Sequence, residues 1–364
     1  MNIVRPTLLL DEAKCKANIQ RMAAKAKRSH VTFRPHFKTH QSLAVGRWIR
    51  ASGVTKCTVS SVKMAAYFAA DGWNDITIAF PLNFLEVAEI NRLASTITLN
   101  LCLVDVAAVE KLTKKLDHPV NCFIEVDSGY HRTGVDPADH TTINSILSFI
   151  SAHPLLTFKG FLSHAGQSYA SRTSSEILKS HQQSTAQMRK AGDRYRNDYP
   201  DMVLSIGDTP SCSVATDFSG VDEIRPGNFV FYDVMQTMVG ACTKNDIAVA
   251  MACPVVAVYP QRKEVIVHGG GVHFSKDFLK GDDGGSRFGE AVKLNSTGWE
   301  LPPLSMYVKS LSQEHGILHA SAEETSKIEI GDVLGVLPVH SCMTADAMGE
   351  YYTLGGEKIE MMRK

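Results

Sequence analysis

Along most of the chain, short strand-like runs alternate with longer stretches whose apolar residues recur at helical spacing. The runs fall at residues 31–34, 57–60, 76–79, 97–101, 122–126, 158–162, 203–206 and 223–225. Each predicts a short buried strand. Helical spacing marks 43–51, 62–70, 84–93, 106–116, 143–152 and 174–196, and the last connection, 213–218, is short. Eight strands alternating with helices predict the α/β class and a (β/α)8 TIM-like barrel. A doubly wound open sheet is the rival, but no G-x-G-x-x-G follows an early strand. Before the barrel, residues 7–10 predict a strand, and Asp11 caps a helix that runs to about Arg28. After Asp233 the texture changes. Residues 249–258, 264–268, 307–311, 317–320 and 328–339 read as strands with no helices between them, and 260–263 reads as a hairpin turn. The expected division is a barrel over 11–244 and a C-terminal mostly-β domain over 245–364, with strand 1–10 joining the latter.

Composition narrows the setting. Hydrophobic residues make up 44% and charged residues 21%, with a formal net charge of +0. That balance argues against bulk binding to nucleic acid or anionic membrane. No apolar run reaches membrane-spanning length. The 8 cysteines are scattered singly, which reads as reduced thiols in the cytoplasm, a metal ligand among them. The N-terminus lacks the layout of a signal peptide.

Barrel active sites gather at the C-terminal ends of the strands. The first strand delivers Lys38, and a lysine at such a mouth can form a Schiff base with a carbonyl cofactor. The fifth ends before Arg132 and the sixth before His164. The seventh runs through Ser205 into Gly207, Asp208, Thr209 and Ser211, which reads equally as a phosphate cradle and as an ordinary turn. The eighth ends at Arg225. Any one arginine reads first as a surface ion pair, and a lone histidine as a hydrogen-bonded core residue. Near the C-terminus, His340 and Cys342 lie two apart on an expected strand and would face the same way, presenting two good zinc ligands. Two ligands suit an open catalytic metal better than a closed structural one.

Together these stretches resemble a known family. Arg34-Pro35-His36-Phe37-Lys38-Thr39-His40 is similar to the pyridoxal-phosphate lysine motif of the D-serine dehydratase and D-threonine aldolase group, fold-type III enzymes related to alanine racemase. The resemblance continues through residues 125–134, 163–166, 205–211, 225–233 and 338–345. It implies that Lys38 carries pyridoxal 5'-phosphate and moves the Cα proton. It implies that Arg132 lies near the cofactor's phenolic oxygen, that His164 packs on the ring, and that Ser205, Gly207 and Thr209 form the phosphate loop. Arg225 would face the pyridine nitrogen, and Tyr232 belongs to the same cofactor-binding set. His340 and Cys342 would hold Zn2+ or another divalent cation. The aldolase branch tends to carry an aspartate where Cys342 stands, so the cysteine tips the reading toward dehydration. Phe229 and Gln41 depart from the pattern, which often has a tyrosine and a basic residue there.

The function so implied is a pyridoxal-phosphate- and zinc-dependent lyase that converts a D-3-hydroxy amino acid to a 2-oxo acid and ammonia. Retro-aldol cleavage to glycine and an aldehyde is the first alternative. A non-catalytic pyridoxal-phosphate carrier or homeostasis protein is the alternative of another class, although such small barrels lack a C-terminal β domain. The resemblance also implies a homodimer and a small-molecule D-amino acid as the ligand.

Overall fold

The computed structural model describes residues 2–363. They fold into two compact units. One comprises residues 20–38 and 46–227; the other takes the chain up to Ile19, then Thr39–Val45, then everything from Asn228 onward.

The first unit is a curled eight-stranded parallel sheet with helices between its strands. The strands are β2 (Thr32–Phe33), β3 (Cys57–Val59), β4 (Asp75–Pro81), β5 (Thr98–Leu103), β6 (Val120–Glu125), β7 (Leu156–Ser163), β8 (Val203–Ile206) and β9 (Glu223–Ile224). Neighbours run β2-β9-β8-β7-β6-β5-β4-β3. The end strands β2 and β3 share no ladder. They meet at one bridge, His36 with Thr58, where Phe37 N–H donates to Thr58 O at 2.8 Å and Thr58 N–H to Pro35 O at 2.9 Å. Pro35 has no N–H to extend this pairing, whereas on the β9 side the bonding continues past it, from Arg34 N–H to Ile224 O at 3.0 Å and from His36 N–H to Pro226 O at 2.8 Å.

The helices follow the apolar spacing. His140–Ala152 buries Ile143, Ile146, Leu147 and Ile150, and Asp139 caps its start through Thr142 N–H. The connection after β8 differs from expectation: its helix covers Thr209–Val214 rather than 213–218. Asp208 accepts from Ser211 N–H at 2.7 Å and Pro210 occupies the first turn, a start signal that reads as a loop when the aspartate is not taken as a cap. Gly160, at φ 141°, lets β7 approach β8; a Cβ there would lie 2.0 Å from Val203 O.

The second unit is a mostly antiparallel sheet centred on β10 (Val249–Tyr259). The N-terminal strand β1 (Thr7–Leu10) joins it as expected, antiparallel to β10. β10 turns through Pro260–Arg262 into β11 (Glu264–His268). Strands at Gly289–Asn295, Glu350–Thr353 and Lys358–Glu360 are additional to those expected. The run read as one strand over 328–339 begins only at Val333, because Gly331, at φ 100°, and Asp332 form a turn. Residues 11–19 and 228–244, assigned to the barrel by sequence, fold with this sheet. Asn18 Nδ2 donates to Asp246 O at 2.8 Å, Ala248 N–H to Phe231 O at 2.8 Å and Met235 N–H to Val339 O at 3.2 Å. Among the described residues, no helix is long and apolar enough to cross a membrane.

Inside the parallel sheet, Arg34 is 2% exposed and joins strands that its neighbours cannot. Its Nε donates to Glu223 Oε2 at 2.6 Å and its Nη1 to Asp75 Oδ1 at 2.7 Å. Removing one member of a buried pair leaves the other charge uncompensated. Arg34→Met should therefore lower unfolding free energy by about 3–5 kcal/mol. Urea denaturation would show it; a loss under about 1 kcal/mol would mean that Glu223 is satisfied without the arginine.

Candidate active site

Lys38 lies half-buried in the turn after β2. Phe37, fully buried, anchors that turn edge-on against Phe68 and Trp73, with ring centroids 4.7 and 4.8 Å away. The backbone N–H of Lys38 donates to His36 Nδ1 at 3.3 Å, so neutral His36 carries its proton on Nε2. His164 Nδ1 donates to Gly207 O, which leaves its Nε2 as an acceptor. Burial, followed by the charges of Lys38 and Arg132, pushes the His164 imidazole down to about 3. Burial and the charges of Lys38 and Arg225 hold His36 well below its ordinary value. Burial and the surrounding cations keep both rings neutral.

Arg225 is fixed rather than mobile. Its Nε donates to Ser205 Oγ at 2.7 Å and its Nη2 to Ser163 O at 2.6 Å, while Ser205 Oγ donates to Glu223 Oε1 at 2.7 Å. The hydroxyl proton of Ser205 is thereby spent on Glu223. The serine expected in the phosphate loop instead supports Arg225, and Gly207 and Thr209 stand at the turn itself. A Cβ on Gly207 would meet Arg225 at 3.0 Å. Thr209 Oγ1 accepts from Gly227 N–H at 3.3 Å and keeps its own proton to donate. Arg132 is exposed, 5.7 Å above the Tyr130 ring, on a loop gathered by Asp127, which accepts from the N–H groups of residues 129, 130 and 131.

The second unit holds His340 and Cys342. They are not on one strand. The strand ends at Pro338 and the helix Ser341–Met348 begins, with His340 at its cap position. The cause is distant in sequence: Asp233 Oδ2 accepts from Ser341 N–H at 3.0 Å, while its other oxygen caps Val234–Met238 through Gln236 N–H at 2.9 Å. The two side chains still meet. Burial opposes charge on His340, but hydrogen bonds to Asp277 and Cys342 win and raise its pKa well above the ordinary value. Burial likewise opposes a thiolate at Cys342, and is overcome by His340 and by a hydrogen bond from Thr39, so the thiol falls below its usual range. Thr39 Oγ1 lies 3.2 Å and Asn228 Nδ2 3.4 Å from the sulfur. Tyr232 belongs to this unit, buried, at φ 48°, and Phe229 is fully buried. Gln41 Nε2 donates to Asp346 Oδ1 at 3.0 Å.

His36 went unassigned in the sequence although it stands two residues before Lys38. Thr39, Asn228, Asp233 and Asp277 gave no local signal, since each acts on a residue far along the chain. A further trio, His268, His273 and Glu314, lies close together. His273 Nδ1 accepts from Gly270 N–H at 3.1 Å, which puts its proton on Nε2, facing Glu314 at 3.7 Å. The trio reads as a carboxylate between two imidazoles rather than as an open ligand set.

Comparison with known proteins now decides the family. The model described as "Alanine racemase, N-terminal domain" matches residues 10–234. The chain belongs to this family. Its C-terminal part, residues 248–354, matches the "Putative serine dehydratase domain". The racemase-family chain is 26% identical to D-serine dehydratase of Dictyostelium discoideum, over 98% of this chain and 94% of that protein. It is 28% identical to D-threo-3-hydroxyaspartate dehydratase of Delftia sp. (strain HT23), over 97% and 94%. The structure of a cysteine-to-alanine mutant of D-threo-3-hydroxyaspartate dehydratase in the metal-free form superposes with a TM-score of 0.91 at 26% identity, covering 100% of this chain and 98% of that one. D-threonine aldolase of Arthrobacter sp matches only 47% of this chain.

The residues present fit the groups this family implies. Lys38, Arg132 and Arg225 place positive charge around two neutral imidazoles, a donor set for an anionic cofactor. An imidazole beside a cysteine sulfur is a donor set for zinc or a similar divalent cation. A cation takes its sulfur ligand as thiolate and its nitrogen ligand as neutral imidazole, so it must displace the protons this pair holds. Metal uptake by chelator-treated protein at neutral pH should therefore release protons. Calorimetry in buffers of different ionisation enthalpy reads this; no proton release would mean that the pair is not the ligand.

Proposed function

We propose that this racemase-family protein is a lyase that removes water from a D-3-hydroxy amino acid and yields a 2-oxo acid and ammonia. Lys38 would hold pyridoxal 5'-phosphate, with Arg132, His164, Gly207, Thr209, Arg225 and Tyr232 as its surroundings. His340 and Cys342 would hold a divalent cation, zinc by preference of its N and S donors. The observation that carries the reading is the meeting of the His340 imidazole with the Cys342 sulfur, in a chain similar over nearly its whole length to D-serine dehydratase and D-threo-3-hydroxyaspartate dehydratase. Thr39, which hydrogen bonds the Cys342 sulfur, follows Lys38 directly in sequence.

When bound, the cofactor supplies an electron sink for the Cα position and the cation a Lewis acid for departing hydroxide. The remaining work falls to side chains. The Lys38 amine, freed from the cofactor when the substrate's amine takes its place, would take the Cα proton. The Cβ–O bond then breaks, the oxygen leaves as water with the proton that Lys38 returns, and hydrolysis of the resulting enamine gives the 2-oxo acid and ammonia. His164, neutral and fixed by Gly207 O, offers a flat uncharged face that does not compete for that proton. Arg225, held by Ser205 and Ser163, keeps a positive charge at a fixed point without donating it as an acid. D-serine, D-threonine and D-3-hydroxyaspartate share the required Cα–H and β-hydroxyl. A homodimer is part of the proposal, read by light scattering.

Incubation with D-threonine separates the outcomes. 2-Oxobutanoate and ammonia are expected; glycine and acetaldehyde would make it an aldolase, and bound cofactor without turnover of any D-amino acid would make it a carrier. Cys342→Ala should lower kcat about a hundredfold or more, since the cation's share of barrier lowering is several kcal/mol. Cofactor absorbance should persist in that variant, and unchanged turnover would remove the metal from the reaction.

A further inference from the structure

The short helix Gly271–Phe274 ends in an uncomfortable residue. Ser275 adopts φ 70° and ψ −171°, a region that glycine occupies readily and a side chain does not. The bend brings Asp277 Oδ2 to 2.8 Å from His340 Nδ1. Ser275 holds it there: its Oγ donates to Asp277 Oδ2 at 3.3 Å and accepts from Asp277 N–H at 3.3 Å. The same segment is tied to the helix that carries Cys342, because Thr344 Oγ1 donates to Phe274 O at 3.1 Å. A strained backbone stapled at two points and aimed at one imidazole nitrogen is more than a surface ion pair needs.

We propose that Asp277 is the positioning residue that prepares His340 for a divalent cation. The inference rests on the metal reading of His340 and Cys342. A neutral imidazole has one proton and two nitrogens. Asp277 claims the proton at Nδ1, which leaves the Nε2 lone pair for the metal and fixes the ring's rotation about its stem. Asp277 acts through His340 and is not itself a ligand. The cation it serves is one that accepts nitrogen and sulfur donors together, zinc or cobalt rather than magnesium or calcium.

The test uses full-length protein stripped by chelator and titrated with Co2+, whose ligand-field and thiolate-to-metal bands report affinity and donor set separately. Asp277→Ala should weaken Co2+ binding about 10–100-fold while the bands keep their positions. Asp277→Asn, whose amide oxygen still accepts the Nδ1 proton, should recover much of that loss. Unchanged cofactor absorbance shows that both variants fold. Wild-type affinity in Asp277→Ala, equal losses in the alanine and asparagine variants, or bands displaced by either substitution would overturn the positioning role. His340→Ala and Cys342→Ala test the underlying reading by themselves: wild-type Co2+ affinity in both would remove the metal site, whatever Asp277 does.

Discussion

A buried chain of alternating charge runs across the parallel sheet. Asp75 on β4 meets Arg34 beyond β2; Arg34 meets Glu223 on β9; Glu223 accepts from Ser205 on β8; Ser205 accepts from Arg225, which reaches back to Ser163 on β7. Asn100 on β5 adds its amide to Asp75 at 2.8 Å. Each member offsets the desolvation of the next, which is the condition under which buried charges are tolerated. The chain does what the backbone cannot. β2 is two residues long and meets β3 at a single bridge, so side chains bind the sheet's ends together. The Lys38 turn leaves from β2, and Arg225 is a member of the network. The geometry offered to a cofactor is thus set by the same bonds that hold the sheet curled.

The other unit solves a similar problem with one carboxylate. Asp233 caps Val234–Met238 with one oxygen and, with the other, accepts from Ser341 N–H and from Asn228 Nδ2 at 2.7 Å. The Asn228 amide also reaches the Cys342 sulfur, so backbone order and the setting of that sulfur share a residue. Burial raises the Asp233 pKa, and its four hydrogen bonds from Gln236, Ser341 and Asn228 oppose that.

Much of the architecture was legible in the chain. The eight parallel strands fall where the chain shows short runs bounded by helical spacing, most of them rich in apolar residues as strands covered by helices require. Lys38, Arg225, His340 and Cys342 stood out because their residue types are chemically rare in such positions. What was not legible depends on partners far away in sequence. Nothing near Cys342 announces that Asp233, over a hundred positions earlier, starts a helix there. Ser205 looked like part of a phosphate loop because the demand Glu223 makes on its hydroxyl is a tertiary fact. The division of the chain was misjudged for a related reason: residues 11–19 and 228–244 look like barrel by periodicity, yet their backbone and side-chain bonds go to the β sheet.

The register between β1 and β10 has a consequence for how the molecule is made. Leu8, Leu9 and Leu10 pair with Met251, Ala250 and Val249. During synthesis those leucines precede Val249–Met251 by the whole parallel sheet and stay without these partners until it has been translated. A nascent apolar strand with open hydrogen-bonding edges is prone to pair with other chains. Its neighbours suit that wait: Arg5 before it and Asp11 after it put charge at both ends of the run, and Pro6 adds a missing N–H at the first, the flanking that discourages intermolecular pairing.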